Sequence, residues 1–590
     1  MKIWIKSLNF FLFTALYIYS FTFLACNLSR SNYPAVLKIP LNSAEEVSAY
    51  LASQAHRETS AENPIYLPFA PEGGLGIQTD EESVWQQLLI AIAAAEKYIE
   101  LDLTDSAMEI DGIFDPVNSI SAGKDKIVSI ALPDAAIRLK ESFDIGTFRH
   151  FYNLKCINGA NIVYIGERAF FNLENLYFAD FPKTASIGAY AFNNCKKLSS
   201  ANFPAAAAIE KSAFADAGIV SAHFPMVTSI GDEAFMACEM LTEINFPLAQ
   251  NIGSKAFYSC SSLILADLQA AENMATSAFG SCINLTEVRF PASCSAGGSV
   301  FINCVSLTSF VLTGEGDLSV IEDGKALARN INDGIELVSY PSAAGEIILN
   351  GITSIADFAF SGGNNLLSIK SSSVTVIADN AFEGCLALVS ADFPAVVSVG
   401  EYSFNNCSAL VSVNFPVLTE IGEYSFFNCK SLASVEFPAL VNISRSLFSG
   451  CSNIETAVFL SAVSIDEYAF KNCEKLVSVN LPQARYIGNE AFALDQEAAN
   501  TSPINIIFGA AAPNMGTGLF SGQNRTVIIL VPYNAGGYGD IPAIYDNYDD
   551  TAQNWGNGVR GKGWDGFTEG YNTGAVNSNV TVNVRFARQN

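Results

Sequence analysis

A phenylalanine, usually after alanine or serine, returns at 170, 192, 214, 235, 257, 279 and 301, and again at 360, 382, 404, 426, 448, 470 and 492. The step is 22 residues, once 21. One of the fullest copies runs from Ile421-Gly422-Glu423-Tyr424-Ser425-Phe426 through Cys429 and Leu432 to Val435, Phe437 and Pro438. Leu432-x-x-Val435-x-Phe437 predicts a short strand with alternating inward side chains, and Pro438 ends it because proline cannot donate to a continuing ladder. A coil of this length cannot fold alone. Stacking puts Ile421, Phe426, Cys429, Leu432, Val435 and Phe437 over their equivalents, with strands roughly 4.8 Å apart, so the expected core runs along the stack.

This L-x-x-V-x-F-P and I-G-x-x-A-F-x-x-C pattern resembles the BspA-like branch of the leucine-rich repeat proteins. The expected fold class is a repeat solenoid with short parallel strands, about 14 clear 22-residue coils, and capping modules at both ends. The strong motifs cover about 148–508. Weaker copies stand at Ile127-Val128-Ser129-Ile130-Ala131-Leu132-Pro133 and around Phe148 and Leu154. The resemblance implies an exposed, non-catalytic protein that attaches to host matrix proteins, epithelial cells or other bacteria. The alternative is a structural or self-associating surface or periplasmic scaffold.

Outside the repeat the periodicity changes. Val84, Trp85, Leu88, Leu89, Ile92 and Ala93 have helical spacing, and the strand-like Tyr98–Leu103 follows, so 41–126 is expected to be an N-terminal capping module over the first coil. Repeat blocks are expected at 127–312 and 351–508. Between them, Thr313-Gly314-Glu315-Gly316-Asp317 and Asp323-Gly324-Lys325 are turn signals, marking 313–350 as an irregular or hairpin insertion. Thr526–Pro532 and Val580–Phe586 read as strands within a C-terminal capping module at 509–590.

Export is written at the start of the chain. Lys2 and Lys6 precede an apolar stretch from about Phe10 to Ala25, which predicts a lipoprotein signal peptide over 1–25 and a polar tether over 26–40. Phe23-Leu24-Ala25-Cys26 resembles the lipobox of bacterial lipoproteins, with Phe23 departing from the commoner leucine. The resemblance makes Cys26 the acylated anchor to the bacterial outer membrane. An uncleaved membrane anchor and an ordinary secretory signal are the alternatives. With the repeat, this ending is similar to the leucine-rich repeat surface lipoproteins of treponemes.

Charge narrows the function further. With 59 acids against 32 bases, the net charge of −27 argues against phosphate-backbone binding and against anionic lipid surfaces. Three isolated histidines (His56, His150 and His223) give poor support to a histidine triad or a multi-histidine zinc site. Gly73-Gly74-Leu75-Gly76 lacks the following Lys-Ser/Thr of a phosphate loop. No catalytic residue, metal or cofactor is expected, and the chain reads as a binder before an enzyme.

Three sets of recurring side chains remain. Cys195, Cys238, Cys260, Cys282, Cys304, Cys385, Cys407, Cys429, Cys451 and Cys473 share one repeat position, also filled by Leu173, Ala217 and Gly363. Equivalent Cβ atoms roughly 4.8 Å apart and pointing one way do not suit a disulfide, so buried free thiols are expected. Residues one and three before the strand-ending phenylalanine face outward. They place Asp180, Asn202, His223, Asn245, Asp267 and Arg289 in one column, continued by Asp392, Asn414, Glu436 and Asn480, with Glu243 and Glu287 in the other. This row is the candidate face for protein partners; the alternative is a solvated sheet face. Tyr190, Tyr402, Tyr424 and Tyr468 recur two residues before the motif phenylalanine and are read as packing over the next coil. Asp546, Asn547, Asp549 and Asp550 could offer calcium ligands, but they lack the EF-hand spacing, and a solvated acidic loop is the preferred reading.

Overall fold

The computed structural model describes residues 40–531, apart from 77–79, 81, 109–110, 118, 142–145, 496–501, 512, 517, 521 and 524–526, together with the strand at 582–586. The signal peptide, Cys26, most of the tether and the acidic run 546–550 lie outside the described residues. The chain divides into two compact units, Met1–Ala296 with Val311–Gly316, and Gly297–Phe310 with Asp317–Asn590. Within each, the 22-residue period is one coil of a parallel β-solenoid.

The first unit opens with two helices, α1 (Ala44–Ser53) and α2 (Val84–Ala95). Each begins where a serine can satisfy a free amide: Ser43 Oγ accepts from Glu46 N and Ser83 Oγ from Gln86 N, both at 3.2 Å. Trp85, Leu88, Leu89 and Ile92 form the buried face of α2, as their spacing predicts. Inside the stretch expected as a cap, the strand Ile65–Pro68 pairs in parallel with Ile99–Asp102, which pairs in parallel with Ile127–Ala131, so both continue its sheet. That sheet runs on through Cys156–Asn158 and Phe178–Asp180 to Ser200–Asn202, where it ends. A new sheet starts at Ser221–His223 and continues through Glu243–Asn245 and Leu265–Asp267 to Glu287–Pro291.

The gap falls in the 21-residue coil. Ala217 and Ile219 stand two residues apart where Cys195 and Leu198 stand three apart, so the missing residue is taken from the approach to the strand. Gly218 bridges the shortened corner. A Cβ there would lie 2.2 Å from the Lys196 carbonyl oxygen, so only glycine fits. On the opposite side, two-residue strands from Ile113–Phe114 to Ser295–Ala296 form an unbroken nine-stranded sheet.

The second unit contains an antiparallel meander, Leu318–Ile321, Ala326–Ile331 and Gly334–Ser339, in the stretch expected to be an irregular or hairpin insertion. Its last strand pairs in parallel with Ser354–Ile355, and regular coils follow. The outward strands are Ala344–Ile348, Asn365–Lys370, Ser390–Asp392 and Ser412–Asn414, then a second sheet from Ser434–Glu436 to Val527–Val531 and Val582–Phe586. The opposite side also divides, between Glu420–Ile421 and Asn442–Ile443. There Ser444 Oγ donates to the Ile421 carbonyl, an acceptor whose counterpart Val399 receives the backbone N–H of Gly422.

Ring columns form both cores. Phe404, Phe426, Phe448 and Phe470 stack at 5.3, 5.6 and 5.2 Å between centroids, and Phe192, Phe214, Phe235 and Phe257 at 5.2 Å throughout. The corner around most motif phenylalanines takes left-handed backbone two residues before and two after the ring, as at Tyr402 (φ 53°) and Asn406 (φ 61°). Such a conformation costs roughly 1–2 kcal/mol in a residue with a Cβ. Coil-to-coil bonds offset it: Tyr402 N to Glu423 O, Phe404 N to Ser425 O and Asn406 N to Phe427 O, at 2.8 to 3.0 Å. Asparagine or glycine takes the second position in most coils, because these residues tolerate the left-handed region best.

Candidate interaction surface

Strand alternation delivers the outward columns. In the first unit, Asp180 is paired with Asn202, and Asn202 Nδ2 donates to Asp180 Oδ1 at 2.7 Å. Beyond the gap, His223, Asn245, Asp267 and Arg289 are register partners on successive strands. Glu243 and Glu287 share the neighbouring column but are separated by Leu265. Arg289 Nε turns to Glu287 Oε1 on its own strand at 2.6 Å. Gln269 Nε2 reaches Asp267 Oδ2 at 3.3 Å, while Asp267 Oδ1 is buried and has no donor among the described residues.

In the second unit, Asn414 Nδ2 donates to Asp392 Oδ1 at 2.7 Å, repeating the rung, and Lys370 extends the column by one strand. Glu436 and Asn480 lie on the next sheet with Val458 between them. Sequence reasoning missed the residues just before this strand. Leu367, Val389 and Val411 are 49%, 44% and 44% exposed, on three successive coils beside Ser368, Ser390 and Ser412. Their signal was an aliphatic residue directly after the motif leucine, at a position with no inward role.

The shared cysteine position is sealed. Cys195, Cys238, Cys260, Cys282, Cys304, Cys385, Cys407, Cys429, Cys451 and Cys473 are buried free thiols, joined by Cys294 at a different repeat position. Cys407, Cys429 and Cys451 donate to the carbonyls of Phe382, Phe404 and Phe426, 3.0 to 3.1 Å away in the preceding coil. Burial pushes the thiols of Cys238 and Cys385 up to about 12, against weaker opposition from backbone bonding. A thiol held this way is neither a nucleophile nor a metal ligand. Among the described residues no group of three or more histidine, cysteine or acidic side chains is placed to hold a metal ion. No described helix is long and apolar enough to cross a membrane.

The tyrosines pack along the stack. Tyr402 and Tyr424 are face to face, with centroids 4.9 Å apart and planes at 2°. Tyr190 lies under the Arg168 guanidinium, and Tyr468 under both Arg445 and Lys471.

No curated protein matches the chain in sequence. Among solved structures it is similar to a leucine-rich repeat protein from Bacteroides ovatus, with 24% identity over 59% of this chain and 83% of the other, at a TM-score of 0.40. A leucine-rich cell surface protein from Faecalibacterium prausnitzii is 22% identical over 58% and 82%, with a TM-score of 0.38. The leucine-rich repeat protein of Treponema pallidum is 22% identical over 30% of this chain and 84% of its own, with a TM-score of 0.25. The model of the BspA type leucine-rich repeat region matches residues 141–217, 207–324, 343–455 and 399–526, more than half of the chain. The coil period, the parallel strands and the match to this family model agree: the chain belongs to the BspA-type leucine-rich repeat family.

Proposed function

We propose that the protein binds protein partners along the outward strand face of its coils, at the cell surface. The observation that carries this reading is the in-register row His223, Asn245, Asp267 and Arg289, which sets donors and acceptors on neighbouring parallel strands. An extended segment laid across them meets a new polar side chain roughly every 4.8 Å. Family membership supports a repeat scaffold that works by contact, since solenoids present long continuous surfaces.

The finer reading is an adhesin for host matrix proteins, epithelial cells or other bacteria, held to the outer membrane by a lipid on Cys26. Chain lacking residues 1–25 is expected to bind immobilised matrix protein or epithelial cells saturably. His223→Glu with Arg289→Glu is expected to weaken that binding at least tenfold. No binding by folded protein, or binding untouched by the double variant, overturns the face. The anchor is tested separately: Cys26→Ala moves the chain to the soluble fraction, and unchanged detergent partitioning rejects it.

One observation favours self-association as the second reading. Val397, Val441 and Val463 are about 40% exposed beside the two-residue strands on the opposite side of the second unit. Sedimentation that depends on concentration, and is lost when these valines become serine, would select it.

A further inference from the structure

The second unit contains a stretch of unusual charge. Between Lys370 and Lys430 there is no lysine, arginine or histidine, while the stretch carries Asp379, Glu383, Asp392, Glu401, Glu420 and Glu423. The 22-residue period brings Asp379, Glu401 and Glu423 to one corner position on successive coils, with Arg445 next in that column, and Glu383 lies near enough to act on the Tyr402 phenol. No described ion pair neutralises Glu401 or Glu423, and both are exposed.

The stacked rings of Tyr402 and Tyr424 stand in the next column. The phenol of Tyr402 is held above its ordinary value, first by desolvation, then by Tyr424, Glu401, Glu423 and Glu383. Elsewhere the chain covers its corner tyrosines with its own cations: Arg168 lies 4.7 Å from the Tyr190 centroid, and Arg445 and Lys471 lie 5.7 and 5.2 Å from that of Tyr468. Among the described residues, the ring contacts of Tyr402 and Tyr424 are to each other and, for Tyr424, to Phe427. Asn380 and Ser446, short side chains, take the same position one coil to either side. Beside them, Asn405 is 8% exposed; its Nδ2 donates to Glu383 Oε1 at 3.0 Å, while its Oδ1 has no donor among the described residues.

These features ask for a planar cation with several N–H groups. Guanidinium stacks on tyrosine faces, forks onto carboxylates and is less strongly hydrated than ammonium. We propose that the corner edge of the second unit around Tyr402, Tyr424, Glu401 and Glu423 is a docking surface for an arginine-bearing extended segment of a protein partner. This surface is separate from the outward strand face and does not depend on that reading.

The test is fluorescence anisotropy of the chain lacking residues 1–25 with a labelled peptide of alternating arginine and serine, at low salt. The peptide is expected to bind, the lysine version at least threefold more weakly, and the glutamate version not at all. Glu401→Gln with Glu423→Gln is expected to weaken binding at least tenfold, and Tyr402→Ser with Tyr424→Ser about fivefold. Tyr402→Phe with Tyr424→Phe keeps the rings and retains the affinity, which separates loss of the platform from loss of fold. Glu239→Gln with Glu272→Gln makes the same charge change at exposed acids of the first unit that lie off the outward strand face, and leaves binding within twofold. No binding, an equal loss in this control, or tyrosine-to-serine variants that bind normally overturns the proposal. None of these outcomes bears on His223 and Arg289.

Discussion

Asn202 and Asp180 hold one another across a single coil step, amide nitrogen to carboxylate oxygen at 2.7 Å, because they are paired residues of parallel strands. The rung works only with unlike groups. Asn202→Asp would set two carboxylates face to face at strand spacing, where like charges are unfavourable. The variant is expected to lower the urea midpoint at pH 7, and by less as salt is added to screen the pair.

The buried thiols give a chemical and a pH signature. Native protein is expected to resist a disulfide-forming thiol reagent at pH 8 and to react fully in denaturant. Rapid native labelling of most cysteines would contradict the sealed column. Folding raises the Cys238 and Cys385 thiols from the ordinary 9.0 to about 12, so above pH 9 the unfolded chain releases protons that the folded chain keeps. Stability is therefore lost as the pH rises from about 9 towards 12, by up to about 1.4 kcal/mol per pH unit for each such thiol. Chemical melts across that range, repeated with Cys238→Ala and Cys385→Ala, measure the slope.

Phe426 is fully buried and stacks on Phe404 and Phe448. Phe426→Ala leaves a cavity between two rings and is expected to cost about 3–5 kcal/mol. A urea melt reads it. A cost below about 1 kcal/mol would mean that the ring column is not what holds the coils together.

Gly218 closes the short coil against Lys196 O. Gly218→Ala forces that corner open and is expected to cost about 1–3 kcal/mol. Hydrogen exchange should locate the loss in the coils on either side of residue 218, with remote coils unchanged.

Lys124 is fully buried, and its Nζ donates to the carbonyls of Pro116 at 2.8 Å and Ser119 at 3.2 Å. Burial, and then repulsion from Arg149, push its ammonium down to about 8 against the ordinary 10.5, while Asp115 opposes them. The unfolded chain therefore holds more protons between pH 8 and 10.5, and the first unit gains stability over that window. Amide protection in α2, corrected for intrinsic exchange, should rise from pH 7.5 to 9.5. Lys124→Met should abolish the rise.

The coil period was legible because Phe, Ile and Leu return to the same column and a helix or ordinary sheet has no 22-residue repeat. The inward and outward faces followed from strand alternation, which placed His223, Asn245, Asp267 and Arg289 on successive strands before any coordinates. What could not be read depends on single backbone approaches and on directions within a corner. The gap at Ser200–Asn202 turns on one missing residue beside Gly218, a deletion visible in the spacing but silent about pairing. The burial of Lys124 breaks the expectation for a lysine, and no periodicity marks it. The candidate face carries a similar lesson, since Arg289 turns to Glu287 rather than along its own column.

The thiol column also decides what happens after unfolding. Among the described residues eleven free thiols are all buried, which closes them to oxidants while the chain is folded. Once opened in an oxidising medium, those thiols can couple in many wrong pairs, so a chain held open long enough for that chemistry is lost irreversibly.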